Sequence, residues 1–420
     1  MNFYIKPTYL ASNLVSFAIS GLSGLAANVI IVRLYNTDIL GLFNQILAIY
    51  FIVSQLAVFG IHQSVLAYIT NSKNQITVLI SGILTVLIIS TFVTSSLFFA
   101  LRYIFDLLKL LDLKDAMYFV APALIFFSLN KVMIAASNGQ GYLNIFATAN
   151  CMRLVLLICS IFIHYYFSLP VSQIAATIVF SEIVVFCFLV LVYKNYFAYF
   201  KKVKNKEIVY WTKKHLSFGR YSVFSGMIVE LNTKIDIIIL TLFVERSVTG
   251  VYSFATMLGE GFYLLISVFK NLNSKNLSLQ LFDDQRRGNF QTNTNYKKYI
   301  IYFICLVGII SICLYKPFAI IVTSSETIKN NGFWVYLIYA TTLMISAKYL
   351  LIDNILILAK KPKIDSYIRL LSLSINIGLC LLLVPFWGEF GAIIALSTSM
   401  ITNSLFLRYL IKFYNLTMSD

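Results

Sequence analysis

Lys131, Arg153 and Lys348 each stand inside a long apolar run, where a cation is out of place. A charge at bilayer depth costs at least about 2.5–3.5 kcal/mol unless it meets water, a partner or a ligand. A ligand that would reward all three is an anion. Arg grips a phosphate through two parallel hydrogen bonds from its planar fork, and Lys adds an adjustable point charge. Counted from the ends of their runs, the three lie at comparable depth, roughly 10–15 Å at 1.5 Å per residue. The competing reading is purely structural. Each cation can instead pair with an intramembrane acid (Glu182, Glu230, Asp236, Glu260 or Asp353) and hold helices together.

The stretch ELNTKIDIII, residues 230–239, raises the same choice for carboxylates. Glu230 and Lys234 are four apart and can pair on one helix face, whereas Asp236 points elsewhere. Asp236 or Glu230 could bind H+ or Na+, with Lys234 beside them; an ion pair that packs helices is the alternative. Neutral polar residues add stripes. Asn150, Arg153, Ser160 and His164 are spaced 3, 7 and 4, which keeps them on one face. Ser128, Lys131 and Asn138 form a second stripe, and Asn44, Gln55 and His62 a third. The three helices carrying them are expected to share a wet interior. His62 and His164 read as hydrogen-bonded interior residues in preference to proton carriers.

The elements that hold these residues are membrane helices. Mean hydropathy is +0.83, and 59% of residues are hydrophobic against 12% charged, while a soluble domain carries about 25% charged residues. Apolar runs of roughly 20 residues, each able to cross about 30 Å of hydrocarbon as a helix, recur along the chain. About twelve are expected: 10–32, 43–63, 77–101, 117–137, 145–166, 171–193, 217–243, 249–269, 299–322, 333–358, 366–386 and 390–411. They are continuously apolar, unlike the alternating strands of a membrane barrel. The first lacks a basic leader and reads as a retained helix. The fold class expected is therefore an all-α integral membrane protein.

With the N-terminus cytoplasmic, the inside segments hold about 21 of the 33 Lys and Arg, which places both termini in the cytoplasm. A basic rim against anionic lipid headgroups accounts for the formal charge of +16 without nucleic acid. All six Cys fall inside apolar runs at no metal-ligand spacing, and they read as small core residues. The aromatic and lysine-rich segment 194–216 divides the spans six and six. It suits an interfacial linker between an N-terminal lobe, 1–193, and a C-terminal lobe, 217–420. Residues 271–298 form the other long cytoplasmic loop. Two bundles around a shared cavity are the arrangement by which transporters alternate access.

RLYNTDILGLFNQILAIYFIVSQLAVFGIHQSVLAYI, from Arg33, resembles the first loop and second helix of polysaccharide transporters in the multidrug/oligosaccharidyl-lipid/polysaccharide exporter superfamily. KIDIIILTLFVERSVTGVYSFA is similar to them in placing Asp236 before Gly250 and Tyr252. WGEFGAIIALSTSMITNSLFL, with Gly388, Gly391 and Ala392, and ASNGQGYLNIF also fit. The resemblance covers nearly the whole length. It implies a Wzx-type O-antigen or capsule flippase with a MATE-like fold: twelve helices in two six-helix bundles around a cationic cavity. Its implied substrate is an undecaprenyl-pyrophosphate-linked oligosaccharide, moved from the cytoplasmic to the periplasmic leaflet of a bacterial inner membrane. The pyrophosphate is the anion that Lys131 and Arg153 would suit. Implied partners are this substrate, membrane lipids, a coupling ion and other polysaccharide-assembly proteins.

Two rivals stay open. A multidrug antiporter of the same superfamily would share the fold, although cationic drugs favour an acidic and aromatic cavity. A membrane polymerase or ligase would need a large periplasmic loop bearing catalytic residues, and the outside loops are short, the longest beginning RYIFDLLKLLDLKDA at Arg102. The sequence offers no nucleophile-and-base constellation, zinc motif or phosphate-cradling Gly loop. Neither catalysis nor a cofactor is expected.

Overall fold

The computed structural model describes residues 24–70, 74–107, 110–199, 203–282, 294–359 and 361–414. Lys6, Lys73 and the first half of the expected span 10–32 lie outside them, as does most of the polar part of the loop 271–298.

Among the described residues the chain is helical throughout and has no strand. The helices are α1 (Gly24–Leu34), α2 (Thr37–Val58), α3 (Ile61–Ile69), α4 (Gln75–Leu107), α5 (Leu111–Val120), α6 (Ala123–Gly139), α7 (Leu143–Tyr166) and α8 (Ala176–Val192). They continue with α9 (Lys194–Ala198), α10 (Asn205–Phe243), α11 (Arg246–Phe282), α12 (Thr294–Thr323), α13 (Glu326–Leu350), α14 (Ile355–Leu358) and α15 (Pro362–Phe413).

Among the described residues eight helices are long and apolar enough to cross a bilayer, nine when α5 and α6 are taken as one span bent by 45°. The shortfall against twelve has local causes. α15 carries two expected spans, as two helices joined across a break at Gly388 with Pro385 just before it. Gly388, at φ 53° and ψ −128°, occupies backbone space essentially closed to residues with a Cβ. The expected span 217–243 is the C-terminal part of α10, whose Glu230, Lys234 and Asp236 lower its hydropathy. Apolar side chains that face outward, such as Ile88, Phe92 and Phe99 of α4, are where lipid chains take the place of a protein core.

The chain divides into two compact units, Met1–Leu34 with Leu42–Glu230, and Tyr35–Gly41 with Leu231–Asp420. The dividing point falls inside α10, and residues 205–216 of the expected linker are helical.

In the first unit α6 is the hub, packed on α3, α4, α7 and α8. Val65, Val78, Val86, Val132 and Met133 are fully buried in its core. The N-terminal part of α10 is fastened to it by His215, which is fully buried. A carbonyl only accepts, so in the neutral ring Nε2 donates to Val78 O at 3.2 Å and Nδ1 accepts from the Ser64 hydroxyl at 2.8 Å.

In the second unit α13 is the hub, packed on α11, α12 and α15. Ser325 caps it, accepting from Ile328 N at 3.4 Å, with Glu326 in the first turn. The start of α2 crosses α11 at two glycines. A methyl group on Gly41 would overlap the Arg246 carbonyl, and one on Gly250 would overlap the Thr37 carbonyl. Two backbones meet there with no room for a side chain. Asn36 fixes the entry to α2 by accepting from Ile39 N at 2.9 Å.

The cysteines depart from expectation. Only Cys380 is buried; Cys159, Cys187 and Cys313 are exposed. A thiol is apolar enough to face lipid chains, so an apolar run alone does not tell core from lipid.

Candidate functional site

In the first unit, two of the three expected cations come together. Phe127 and Lys131 are one turn apart on α6, and the Lys131 ammonium lies 5.3 Å from the Phe127 ring centroid. Arg153, reaching from α7, places its guanidinium carbon 5.2 Å from the same centroid. An aromatic face attracts a cation by about 0.5–2 kcal/mol, more when water is excluded. Tyr50 of α2 meets the Phe127 ring edge-on at 5.7 Å.

The two cations are treated differently. Arg153 Nε lies 2.7 Å from Glu182 Oε1 on α8, and Nη2 donates to Oε2 at 3.4 Å. Glu182 is 2% exposed, and Asn130 Nδ2 donates both to its Oε2 at 2.8 Å and to its backbone carbonyl at 2.9 Å. For Arg153 the structural reading, an intramembrane ion pair, is therefore realised. Lys131 has no carboxylate at ion-pair distance among the described residues, although Glu230 is near enough to act on it electrostatically. Glu230 accepts from Gln55 Nε2 at 3.2 Å. The Tyr50 hydroxyl, Ser128 Oγ, Asn130 Oδ1 and His62 Nδ1 are buried with no hydrogen-bond partner among the described residues. Buried polar atoms are nearly always bonded, so these four carry unmet hydrogen-bonding capacity.

The remaining expected lining residues of this unit are helix contacts. Asn44 donates to Asn28 Oδ1 at 3.3 Å. Asn150 donates to Phe146 O at 3.0 Å within its own helix. Ser160 Oγ donates to Leu157 O and Thr177 O, and His164 Nε2 bonds Pro170 O at 3.2 Å. Ser160 and His164 are buried, so the lower part of that stripe faces protein.

The second unit gathers the acids. Asp236 is 3% exposed and accepts a short hydrogen bond from the Tyr252 hydroxyl of α11, and another from Ile237 N at 2.9 Å. Lys234 donates to Glu260 Oε1 at 3.1 Å. Lys270 and Asp353 pair at 3.1 Å, and Arg369 and Asp365 at 2.8 Å. On α15, fully buried Asn376 keeps its amide nitrogen without a partner, while its Oδ1 lies 3.5 Å from Cys380 Sγ. Lys348, at the end of α13, is exposed and belongs to this unit, so the three cations do not form one cluster within a unit. No group of three His, Cys, Asp or Glu that could hold a metal occurs among the described residues.

Sequence reasoning missed the roles of Tyr50, Phe127, Asn130 and Tyr252. Asn130 adjoins Lys131 in SLNK, and Tyr252 closes the quoted Gly-x-Tyr motif. Their meaning lies in which helices meet.

Residues 10–270 match the family described as "Polysaccharide biosynthesis protein". The chain belongs to that family. Among solved structures it is similar to the lipid II flippase MurJ in an inward closed conformation, at TM-score 0.76 and 16% identity, over 96% of this chain and 87% of that one. It is also similar to a multidrug resistance MATE family transporter of the MOP superfamily in an inward-facing conformation (TM-score 0.69, 16% identity, 95% and 96% covered). The eukaryotic MATE transporter AtDTX14 follows at TM-score 0.62 and 14% identity, with 96% of each chain covered. At such identities the likeness carries the fold, and that fold is the MATE-like one of membrane transporters. A comparison with curated sequences finds no match. This member of the polysaccharide biosynthesis family is thus a multi-pass, all-α membrane protein with a transporter's fold.

Proposed function

We propose that this protein is a flippase that carries a lipid-linked oligosaccharide, an undecaprenyl-pyrophosphate-linked O-antigen or capsule repeat unit, from the cytoplasmic to the periplasmic leaflet of the bacterial inner membrane. It works by alternating access with both termini in the cytoplasm. The observation that carries the reading is the half-buried pair of Lys131 and Arg153 over Phe127, with unmet polar atoms beside it. A diphosphate headgroup offers oxygens to both cations, and the unmet hydroxyls of Tyr50 and Ser128 can donate to the oxygens that remain. Family membership supports a substrate from polysaccharide assembly. Glu230, Lys234 and Asp236 are kept as the groups that would couple transfer to H+ or Na+. Catalysis has no role in this reading.

The test is the leaflet location of the lipid-linked oligosaccharide in cells with the protein intact, removed, or carrying Arg153→Ala with Lys131→Ala. Accumulation on the cytoplasmic face in both altered strains is expected. Arrival at the periplasmic face regardless, with redundant transporters deleted, removes the reading.

One observation favours the multidrug antiporter as a second reading. The second unit collects Asp236 and Glu260 near Tyr252, Tyr263 and Tyr339, and acids among aromatics attract organic cations. Loss of resistance to cationic drugs on deletion, with polysaccharide unaffected, would favour it.

A further inference from the structure

Glu182 is more than a neutralising partner, because its bond to Arg153 is incompletely made. Arg153 Nε lies 2.7 Å from Oε1 but out of line for a hydrogen bond, which leaves one aligned bond, Nη2 to Oε2 at 3.4 Å. A guanidinium has five donors in a fork that fits two oxygens side by side. Glu182 does not present its oxygens that way, since Asn130 holds Oε2 at 2.8 Å and ties the same amide to the backbone of α8. Asn130 is 0% exposed, and its position fixes the carboxylate in an orientation that suits itself and not the guanidinium. The neighbouring Tyr50 hydroxyl, electrostatically coupled to both Glu182 and Arg153, is buried without a bond. Arg153 is therefore held by a resident carboxylate that a better-placed anion can outbid.

Charge counting points the same way. Lys131 and Arg153 are opposed by Glu182 and by the more distant Glu230, so the empty cluster is formally neutral. An anion entering it competes with carboxylates that are already there. Binding two unopposed cations would trap a diphosphate, whereas passage needs binding firm enough to enter and weak enough to leave.

We propose that Glu182 is a resident competitor for Arg153, which it occupies while the site is empty and yields to the phosphate oxygens of an arriving anionic headgroup, thereby setting how tightly that headgroup is held. This rests on the reading of Lys131 and Arg153 as the anion site. Glu182 is a positioning residue here, acting on the ligand through Arg153.

The test measures binding of inorganic pyrophosphate to the purified full-length protein in lipid nanodiscs. Glu182→Gln keeps the side-chain size and an oxygen for Asn130 while removing the charge. It should bind pyrophosphate about tenfold tighter, equivalent to about 1.4 kcal/mol, and the gain should vanish in the double variant with Arg153→Ala. Glu182→Asp, which withdraws the carboxylate by one methylene, should tighten binding by a smaller factor and serves if Glu182→Gln does not fold. Farnesyl pyrophosphate in a parallel arm separates a lipid headgroup, which gains from its tail, from the free anion, which does not. Unchanged or weaker pyrophosphate binding in well-folded Glu182→Gln, or a gain that survives loss of Arg153, overturns the proposal. Tighter binding with unaltered leaflet distribution in the cell assay would uphold the competition and remove the flippase reading. Lost transfer in Arg153→Ala with no effect of Glu182→Gln would do the reverse.

Discussion

Removing the Tyr252 hydroxyl separates a structural from a coupling role for Asp236. Tyr252 is 0% exposed and Asp236 3%, so no water replaces the lost bond; Asp236 would keep only the Ile237 amide at 2.9 Å. A hydrogen bond to a charged group contributes about 1.5–3 kcal/mol in soluble proteins. Interhelical bonds in membranes average about 0.6 and reach about 1.7, because helices apart in lipid also find partners. The burial here favours the upper part of the membrane range, so Tyr252→Phe should cost about 1–2 kcal/mol. For a cooperative unit of 150–250 residues that is roughly 2–8 °C in Tm, at about 2–4 °C per kcal/mol. Asp236→Asn should cost less, since its amide oxygen can still accept from Tyr252. The assay pairs thermal unfolding of the purified variants with leaflet transfer in cells. If Asp236 only ties α10 to α11, Asp236→Asn transfers normally and Tyr252→Phe loses transfer only in proportion to stability. If Asp236 couples transport, Asp236→Asn stops transfer at near-normal Tm. A Tyr252→Phe protein as stable as the parent would refute the energetic reasoning itself.

Gly250→Ala should destabilise by about 1–3 kcal/mol, because the added methyl meets a backbone carbonyl that cannot rotate away; Gly261→Ala, where a Cβ meets nothing within 4 Å, should be neutral or stabilise by up to about 1 kcal/mol. Thermal unfolding of the two alanine variants side by side checks the contrast. Gly388→Ala should cost about 1–3 kcal/mol through backbone strain at φ 53° and lower the yield of monodisperse protein on size exclusion. Lys234→Ala should cost under about 1 kcal/mol, since its pair with Glu260 has side chains 18% and 38% exposed, and a Tm drop as large as that of Tyr252→Phe would contradict this.

The parts of the fold legible in the sequence are those set by solvent. Backbone groups in hydrocarbon must bond within their own segment, so each apolar run of membrane length had to be a helix, and helical spacing alone put Ser128 and Lys131 on one face. The Asp236 to Tyr252 relation was present only as a motif. Local spacing could not decide the partners. Spacing along α10 does not tell that Lys234 bonds Glu260 or that Glu230 bonds Gln55; neighbouring helices bring those groups within reach. Arg153 is similar. Nothing in its own run says that it meets Glu182, 29 residues on, or that Asn130, 52 residues before Glu182, holds that carboxylate slightly out of line. The outward-facing cysteines make the same point, since composition is equally apolar toward lipid and toward core. The sequence by itself determined that the chain crosses the membrane as helices and which ionisable groups are carried into it. The tertiary structure decided which of those charges meet a partner on another helix, because such pairing depends on distances between helices that no spacing along one helix encodes.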